Sequence, residues 1–346
     1  MSNKYVVPIG ILVAVILIIA GGYMMLNPLN TGSKTTINLN GNESNYIQPT
    51  ERGFQQFTPN ITATAEKLTK NADLKFKVGD MYKYNYNTVT PANGTDMSIR
   101  NVARSLNITL PRNTSINIET KTTSIMEINV DRIERCNNSN CFVLRYLTIQ
   151  KIENLDEIVA SLATASGKKI GENEMKAIIQ LEDGTKTSGE IWVNKDGEIV
   201  KTLQEMNGRV ITIEGARSSF FGFGGINFGP NAIIQPWMLA LNENFEWKKE
   251  STIEMRNFTV NSTETYKVID IEEITTKAGK KNCYKVENTV ATSRTFAAGQ
   301  RNRGNSVYFT KTILWIDKEK RILIKAEVWI ENLKIADIEL VEEKSA

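Results

Sequence analysis

The carboxylates Asp131 and Glu134, and the pair Glu272–Glu273, stand near the ends of apolar runs. Two carboxylates can divide acid and base work when a cleft holds them at a fixed separation. Nothing in their spacing builds such a cleft, so they read as solvated surface charge. The chain contains no histidine. That removes the commonest general base near neutral pH and the commonest metal ligand, and with them Ser-His-Asp and Cys-His hydrolases. Three cysteines without histidine make a poor zinc site. The stretch "SGKKIGENEMK" (166–176) lacks the spacing of a phosphate-binding loop. The expectation is therefore a protein with no catalytic residue, cofactor or metal, and not an enzyme.

The candidates for binding are aromatic. Trp192 and Trp315 fall at matching places in two similar hairpins, "IWVNKDGEIVK" (191–201) and "LWIDKEKRILIK" (314–325). On a period of two each opposes its Ile191/Val193 or Leu314/Ile316 neighbours. They read either as sheet-packing rings or as the lining of an apolar pocket. Tyr82, Tyr84 and Tyr86 alternate along one strand and read as cross-strand packing, or as a platform for sugar or lipid. Phe220, Phe221, Phe223 and Phe228 alternate with glycines in "SSFFGFGGINFGP" (218–230). That segment is a connector with its rings tucked inward, or an apolar loop that touches lipid or gates a cavity. Arg294, Arg301 and Arg303 form a small basic loop. Net charge is only +3, with both signs interspersed, which argues against nucleic acid as a partner.

Period-two patterning positions these residues. In "SIMEINVDRIERC" (124–136), Met126, Ile128 and Val130 share one face while Glu127, Asn129 and Asp131 share the other, the mark of a half-buried antiparallel strand. "CFVLRYLTI" (141–149) pairs back from the loop "CNNSNC", whose length lets Cys136 and Cys141 form a disulfide. Cys283 is left as a buried thiol. One stretch departs from this period: Ile152, Leu155, Ile158, Val159 and Leu162 recur at helical spacing and Gly167 ends the run. A second short helix is expected at 172–180, and another near 235–244, where Pro236 suits a first turn.

The second half repeats the first in order. "VDRIE" (130–134) matches "IDIEE" (269–273) at an offset of 139, and "CFVLRY" (141–146) matches "CYKVEN" (283–288) at 142. The two tryptophan hairpins match at 123, "NGRVITIE" (207–214) matches "NLKIADIE" (332–339) at 125, and "YKY" (82–84) loosely matches "FEW" (245–247). Ordered matches of this kind point to an internal duplication.

"YVVPIGILVAVILIIAGGYMML" (5–26) carries no charge. At 1.5 Å per residue it would span about 33 Å, enough for a hydrocarbon core. It reads as a retained transmembrane anchor with residues 1–4 in the cytoplasm, or as a cleaved signal peptide ending at Ala20-Gly21-Gly22. The apolar run through Leu26 favours the anchor. The bulk of the chain then lies outside the cell membrane. The sequons at Asn42, Asn60, Asn93, Asn107, Asn113, Asn137, Asn257 and Asn261 all follow this segment, as candidate glycosylation sites. Residues 27–72 read as a polar stalk with a short helix near 61–70.

The unit "VGDMYKYNYN", a strand pair ending in "CFVLRY", then "IWVNKDGEIVK", resembles the lipoprotein-carrier (LolA-like) superfamily and its uncharacterised archaeal exported relatives. The resemblance implies a half-open antiparallel β-barrel closed by helices over an apolar hollow. The expected fold is thus α+β and mostly antiparallel β: a transmembrane helix, then two tandem half-barrel units, each covered by helix. The units are expected at 73–216, with a helical insert at 151–180, and at 239–346, joined by 217–238. The expected function is non-catalytic binding of an apolar ligand, a lipid or lipidated protein, at the membrane. The alternative is a structural or protein-interaction ectodomain of the cell envelope with filled cores.

Overall fold

The computed structural model describes residues 35–38, 60–65, 68–91, 102–103, 106, 108–110, 118–136, 139–167, 171–206, 209–214, 230–255, 258–296 and 306–346. Among the described residues, fourteen strands form one sheet. They are β1 (Thr35–Asn38), β2 (Asn60–Ala65), β3 (Met81–Thr90), β4 (Thr120–Cys136), β5 (Ser139–Ile152), β6 (Thr185–Asn194) and β7 (Ile199–Met206), followed by β8 (Arg209–Glu214), β9 (Glu246–Met255), β10 (Phe258–Thr276), β11 (Gly279–Phe296), β12 (Ser306–Asp317), β13 (Leu323–Ile330) and β14 (Leu333–Lys344). Helices α1 (Leu155–Ser166) and α2 (Glu172–Glu182) lie between β5 and β6.

Strands β3 to β8 make one antiparallel meander and β9 to β14 make a second. The two do not stand apart. β14 pairs antiparallel with β3, from Ala336 opposite Thr88 to Lys344 opposite Met81. The expectation of two separate half-barrels, each under its own helix, is therefore corrected to a single continuous sheet. The reason is the edge: a six-stranded meander exposes a row of unpaired N–H and C=O groups along its first and last strands. Joining β3 to β14 satisfies one such row of each meander. β2 covers β9 antiparallel and β1 covers β8 in parallel at the outer ends. The stretch read as a stalk thus supplies two edge strands, and the helix expected near 61–70 is corrected to the strand Asn60–Ala65.

The two meanders repeat irregularities as well as order. β4 slips its register against β5 between Val130 and Arg132, and β10 slips against β11 between Val268 and Asp270. Glu134 then faces Cys141, and Glu272 faces Cys283. The bulges align Val130 with Val268 and Glu134 with Glu272, an offset of 138. The offset of 139 read from sequence is one residue too long, and a one-residue slip moves every side chain to the opposite face.

The interior is filled by the chain itself. Residues 230–245, between the meanders, form 3₁₀ turns at Pro230–Ala232 and Pro236–Ala240. Ile233, Ile234, Trp237, Met238, Leu239, Leu241 and Phe245 are buried in one core with Tyr82, Tyr84, Ile128 and Leu144 of the first meander and Val286, Ile316, Ala326 and Ile338 of the second. Backbone carbonyls fasten this plug. Leu239 O accepts from the N–H of Asn71 and Ala72, and Ile233 O accepts from Leu323 N. Ala240 O accepts from Asn71 Nδ2 and Leu241 O from the Arg321 guanidinium at 3.0 Å. The helices do not cover this core. Leu155, Ile158, Leu162 and Ile178 pack instead with Val102, Ala103, Leu106 and Ile108 in a separate cluster.

No helix among the described residues is long and apolar enough to cross a membrane. The single-pass topology is corrected accordingly. Apolar residues here lie mostly at alternate positions of strands, and described apolar runs such as Pro236–Leu241 fall far short of the roughly 20 residues a span needs. The span expected over 5–26 itself lies outside the described residues.

Close packing shows at Gly189 on β6. A Cβ there would stand 2.0 Å from the Leu203 carbonyl oxygen and 2.7 Å from the Tyr146 hydroxyl. Gly189→Ala must displace backbone, and a loss of about 2 kcal/mol is expected from overpacking. Urea unfolding of the variant checks this; an unchanged midpoint would contradict the described approach of β7.

Candidate functional site

Trp192 and Trp315 occupy the same place in the two meanders. In register Trp192 lies between Val143 and Lys201, and Trp315 lies between Lys285 and Lys325. Both indoles are buried, and both donate from Nε1 to a carboxylate two strands away. Trp192 reaches Glu134 Oε2 at 2.7 Å and Trp315 reaches Glu272 Oε1 at 2.6 Å. Each carries a lysine over its ring: Lys201 Nζ is 4.5 Å from the Trp192 centroid and Lys325 Nζ is 4.8 Å from that of Trp315. A cation over an indole face is attracted by the ring quadrupole. The indole bond, with help from Arg132, holds the Glu134 carboxyl below its ordinary range. The Trp315 bond and Lys285 do the same for Glu272.

These are positioning contacts. They hold Trp192 against the outer side of the sheet rather than in an interior pocket, because Ile191 and Val193 on either side of it face the main core, whereas Trp315 also packs into the main core cluster. Trp192→Phe keeps the ring and removes the donor. The Glu134 carboxyl should then titrate nearer its ordinary value, with Trp315→Phe acting likewise on Glu272. NMR titration of the two carboxyls checks this, and an unmoved Glu134 curve would remove the indole bond as the cause.

The hairpins beyond the tryptophans also correspond. Asn194 Oδ1 accepts from the N–H of Asp196 and Glu198 at 2.9 and 3.0 Å. Asp317 Oδ1 accepts from the N–H of Glu319 and Lys320, each at 2.7 Å. Gly197 (φ 75°) and Arg321 (φ 60°) then turn the chain in the left-handed region. Arg321 takes up this strained position, which glycine fills in the first hairpin, while its guanidinium holds the plug.

What differs between the halves is the surface beside each tryptophan. In the first, Arg132 grips both oxygens of Glu190 at 3.0 and 3.1 Å and also bonds Glu134 and Asp131. Arg145 joins Asp131 at 3.1 Å. That face is closed by an ion network. In the second half the counterparts of Ser188, Glu190 and Glu205 are Lys311, Ile313 and Trp329, by the alignment of Trp192 with Trp315 and Lys201 with Lys325. Here a shallow open groove of about 490 Å³ runs over Ile313, Trp315 and Trp329, flanked by Lys285, Lys311, Lys325, Glu327, Glu331 and Asn332. A register shift between β13 and β14 at Val328/Trp329 sets the aim of Trp329.

The other sequence candidates fall elsewhere. Tyr82, Tyr84 and Tyr86 are buried in the core, and Tyr84 donates to Leu323 O at 2.8 Å across the two meanders. Cys136 and Cys141 are joined in a disulfide, Cα atoms 5.9 Å apart. Cys283 is buried, and desolvation, with Asp317 beside it, pushes its thiol up to about 12. It should resist alkylation until the protein unfolds, which maleimide labelling with and without urea would show. Asn261 is exposed on β10 and accepts from Thr252 Oγ1 at 2.9 Å. Asn60 opens β2. Phe220, Phe221, Phe223, Phe228, Asn42, Asn93, Asn107, Asn113, Asn137 and Asn257 lie outside the described residues. Sequence reasoning missed Ile313 and Trp329. Both faces of "SVYFTKTILWID" (306–317) carry apolar residues, so no clean alternation marks its outer row.

No family model matches the chain, and no curated protein matches it. Solved structures do. An inferred exported protein with a YmcC-like fold from Bacteroides fragilis matches at 10% identity, over 79% of this chain and 99% of its own, with a TM-score of 0.33. An inferred lipoprotein from Parabacteroides distasonis matches at 13% identity, over 81% of this chain and 100% of its own, with a TM-score of 0.32. The hypothetical lipoprotein YmcC from Escherichia coli matches at 8% identity, over 77% of this chain and 86% of its own, with a TM-score of 0.28. The resemblance to lipoprotein carriers is thus met only by a coarser likeness to proteins described as exported or as lipoproteins. None of the three is described as a LolA-like carrier or a single-pass membrane protein.

Proposed function

We propose that this chain is an exported, non-catalytic recognition module, built by duplication of one six-stranded unit, that binds through the outer face of its second meander. The observation that carries this is the contrast between halves. One framework is held twice by the same Glu–Trp–Lys contacts. In the first half the adjoining surface is locked by Arg132 and Glu190, and in the second the positions of Glu190 and Glu205 carry Ile313 and Trp329, which floor a groove. A surface that lacks the Arg132–Glu190 clamp and has an apolar floor suits recognition. The shifted carboxylates Glu134 and Glu272 have structural partners, which supports a non-catalytic role.

The plug at 230–245 supports a filled interior, so the proposed ligand surface moves from a hollow to the outside of the sheet. This favours a partner in the cell envelope over a lipid carried within. Native mass spectrometry of the purified chain tests the filled interior: the expected spectrum shows no stoichiometric lipid, and a retained acyl ligand would overturn it. Ile313→Arg tests the surface. It places a charge on the groove floor and should reduce capture of the protein by isolated cell envelopes while leaving the unfolding midpoint close to that of the parent. Undiminished capture would move recognition to another face.

A further inference from the structure

We infer that the groove over Ile313, Trp315 and Trp329 binds a neutral glycan, an inference that rests on the outer face being the recognition surface. The outer row of β12 reads Val307, Phe309, Lys311, Ile313, Trp315 at alternate positions, so successive side chains stand about 6.6–6.8 Å apart along one line. Phe309 is 66% exposed and Val307 57%. Trp329, half-buried, lies opposite Lys311 on β13. Phe309 and the half-buried Trp329, set on a rigid sheet, offer flat apolar platforms, while Trp315 is buried with Lys325 over its ring. The C–H face of a pyranose ring is a flat apolar partner with hydroxyls at its rim.

Charge decides between this ligand and the alternatives. Each lysine that lines the groove has its own carboxylate: Lys285 with Glu272 at 3.2 Å, Lys325 with Glu327 at 3.0 Å, and Lys311 with Glu287. Paired in this way they project little net field, so an anionic lipid surface or polyanion gains little from them. Lys311 splits the apolar row of β12 between Phe309 and Ile313, and Lys285, Glu287, Lys325 and Glu327 border it on β11 and β13, which leaves less contiguous apolar area than a protein interface core needs. What remains is an aromatic floor with hydrogen-bonding groups at its rim, within the roughly 300–1,000 Å³ range of ligand sites. At one end stand Glu331 and Asn332, in the tight turn from β13 to β14. Glu331 holds φ 54°, a strained conformation in a residue with a side chain. A glycine would turn the chain there without that strain, and a carboxylate there can accept from sugar hydroxyls.

The test uses the full chain with a soluble β-glucan oligosaccharide, a mannan, phosphatidylglycerol vesicles, and sedimentation of the protein alone. A neutral glycan should shift tryptophan emission and bind saturably. Trp329→Ala should weaken it roughly tenfold or more. Phe309→Ser, at an exposed position, should weaken it with the fold intact. Glu331→Gly should raise the melting temperature while weakening glycan binding, a split that a purely structural role would not produce. Trp192→Phe, in the first half, should leave binding unchanged. Failure of both glycans to bind overturns the inference. If vesicles or a second copy occupy the face instead, in a way that Phe309→Ser abolishes, the glycan is wrong and the recognition surface stands. If nothing binds and Ile313→Arg also leaves envelope capture unchanged, both readings fall.

Discussion

Trp237→Ala should destabilise the protein by about 3–5 kcal/mol, the range for removing a large aromatic from a packed core. Trp237 is 4% exposed at the centre of the plug. Its ring lies 4.7 Å from that of Tyr266 and 6.4 Å from that of Phe245, and Tyr266 in turn meets Trp247 at 5.4 Å. Stacked and tilted ring contacts of this kind add to the burial of area. The cavity left by alanine cannot collapse easily, because the backbone on both sides is tied: Met238 N donates to Gln235 O, and Leu239 O holds Asn71 and Ala72. Both meanders share this core, so one cooperative transition should shift as a whole. Urea unfolding followed by far-UV circular dichroism and by tryptophan emission checks it. Two separated transitions in the parent protein would show that the halves fold independently and that the plug does not unite them.

Glu343→Gln should cost about 3 kcal/mol at neutral pH, at the low end for breaking a buried ion pair. Glu343 is 8% exposed on β14 and is bonded by both Lys281 and Lys320. Burial pushes its carboxyl upward, but the two lysines outweigh burial and hold it below the ordinary value of 4.5. A folded value below the unfolded one means the stabilisation is complete above about pH 4.5 and is lost as pH falls through the folded value. The parent should therefore lose stability on acidification below pH 4.5 more steeply than the Gln variant, whose uncharged amide does not titrate. Parallel slopes below pH 4.5 would show that Glu343 contributes nothing to acid sensitivity. The location gives the effect its size. Beside Glu343, Asp80 is buried and accepts from Lys77 N, Tyr82 Oη and Ala346 N at 2.9, 3.2 and 3.1 Å. Lys320 also reaches Ser345 Oγ at 2.9 Å. These bonds lock β14 to the start of β3, where the two meanders become one sheet.

The candidate site was only partly legible in advance. Trp192 and Trp315 could be paired from their hairpins, because a hairpin is a local object whose strands and turn are contiguous. Their carboxylate partners could not. Glu272 is 43 residues from Trp315, and a bulge at Ile269 decides that it, rather than Glu273, comes to the indole. A bulge leaves only a weak trace in the pattern of residue types, yet it changes which face a side chain takes. Trp329 was passed over for a similar reason, since its aim is set by the register shift beside it.

By itself the sequence determined strands such as β4, through period-two burial in Met126, Ile128 and Val130, and that α1 is a helix, through Leu155, Ile158 and Leu162, but not the edge strands β1 and β2. It also pointed to the correspondence between the two tryptophan hairpins. Those are local properties, set by side-chain period and turn chemistry within a few residues. Only the tertiary structure decided that Ala336 lies opposite Thr88, that Ile233 to Phe245 fill the interior, and that the helices pack aside with Val102 to Ile108. Each of these is a choice among distant surfaces of similar composition. It is settled by whichever arrangement pairs the edge strands and buries the most apolar area at once.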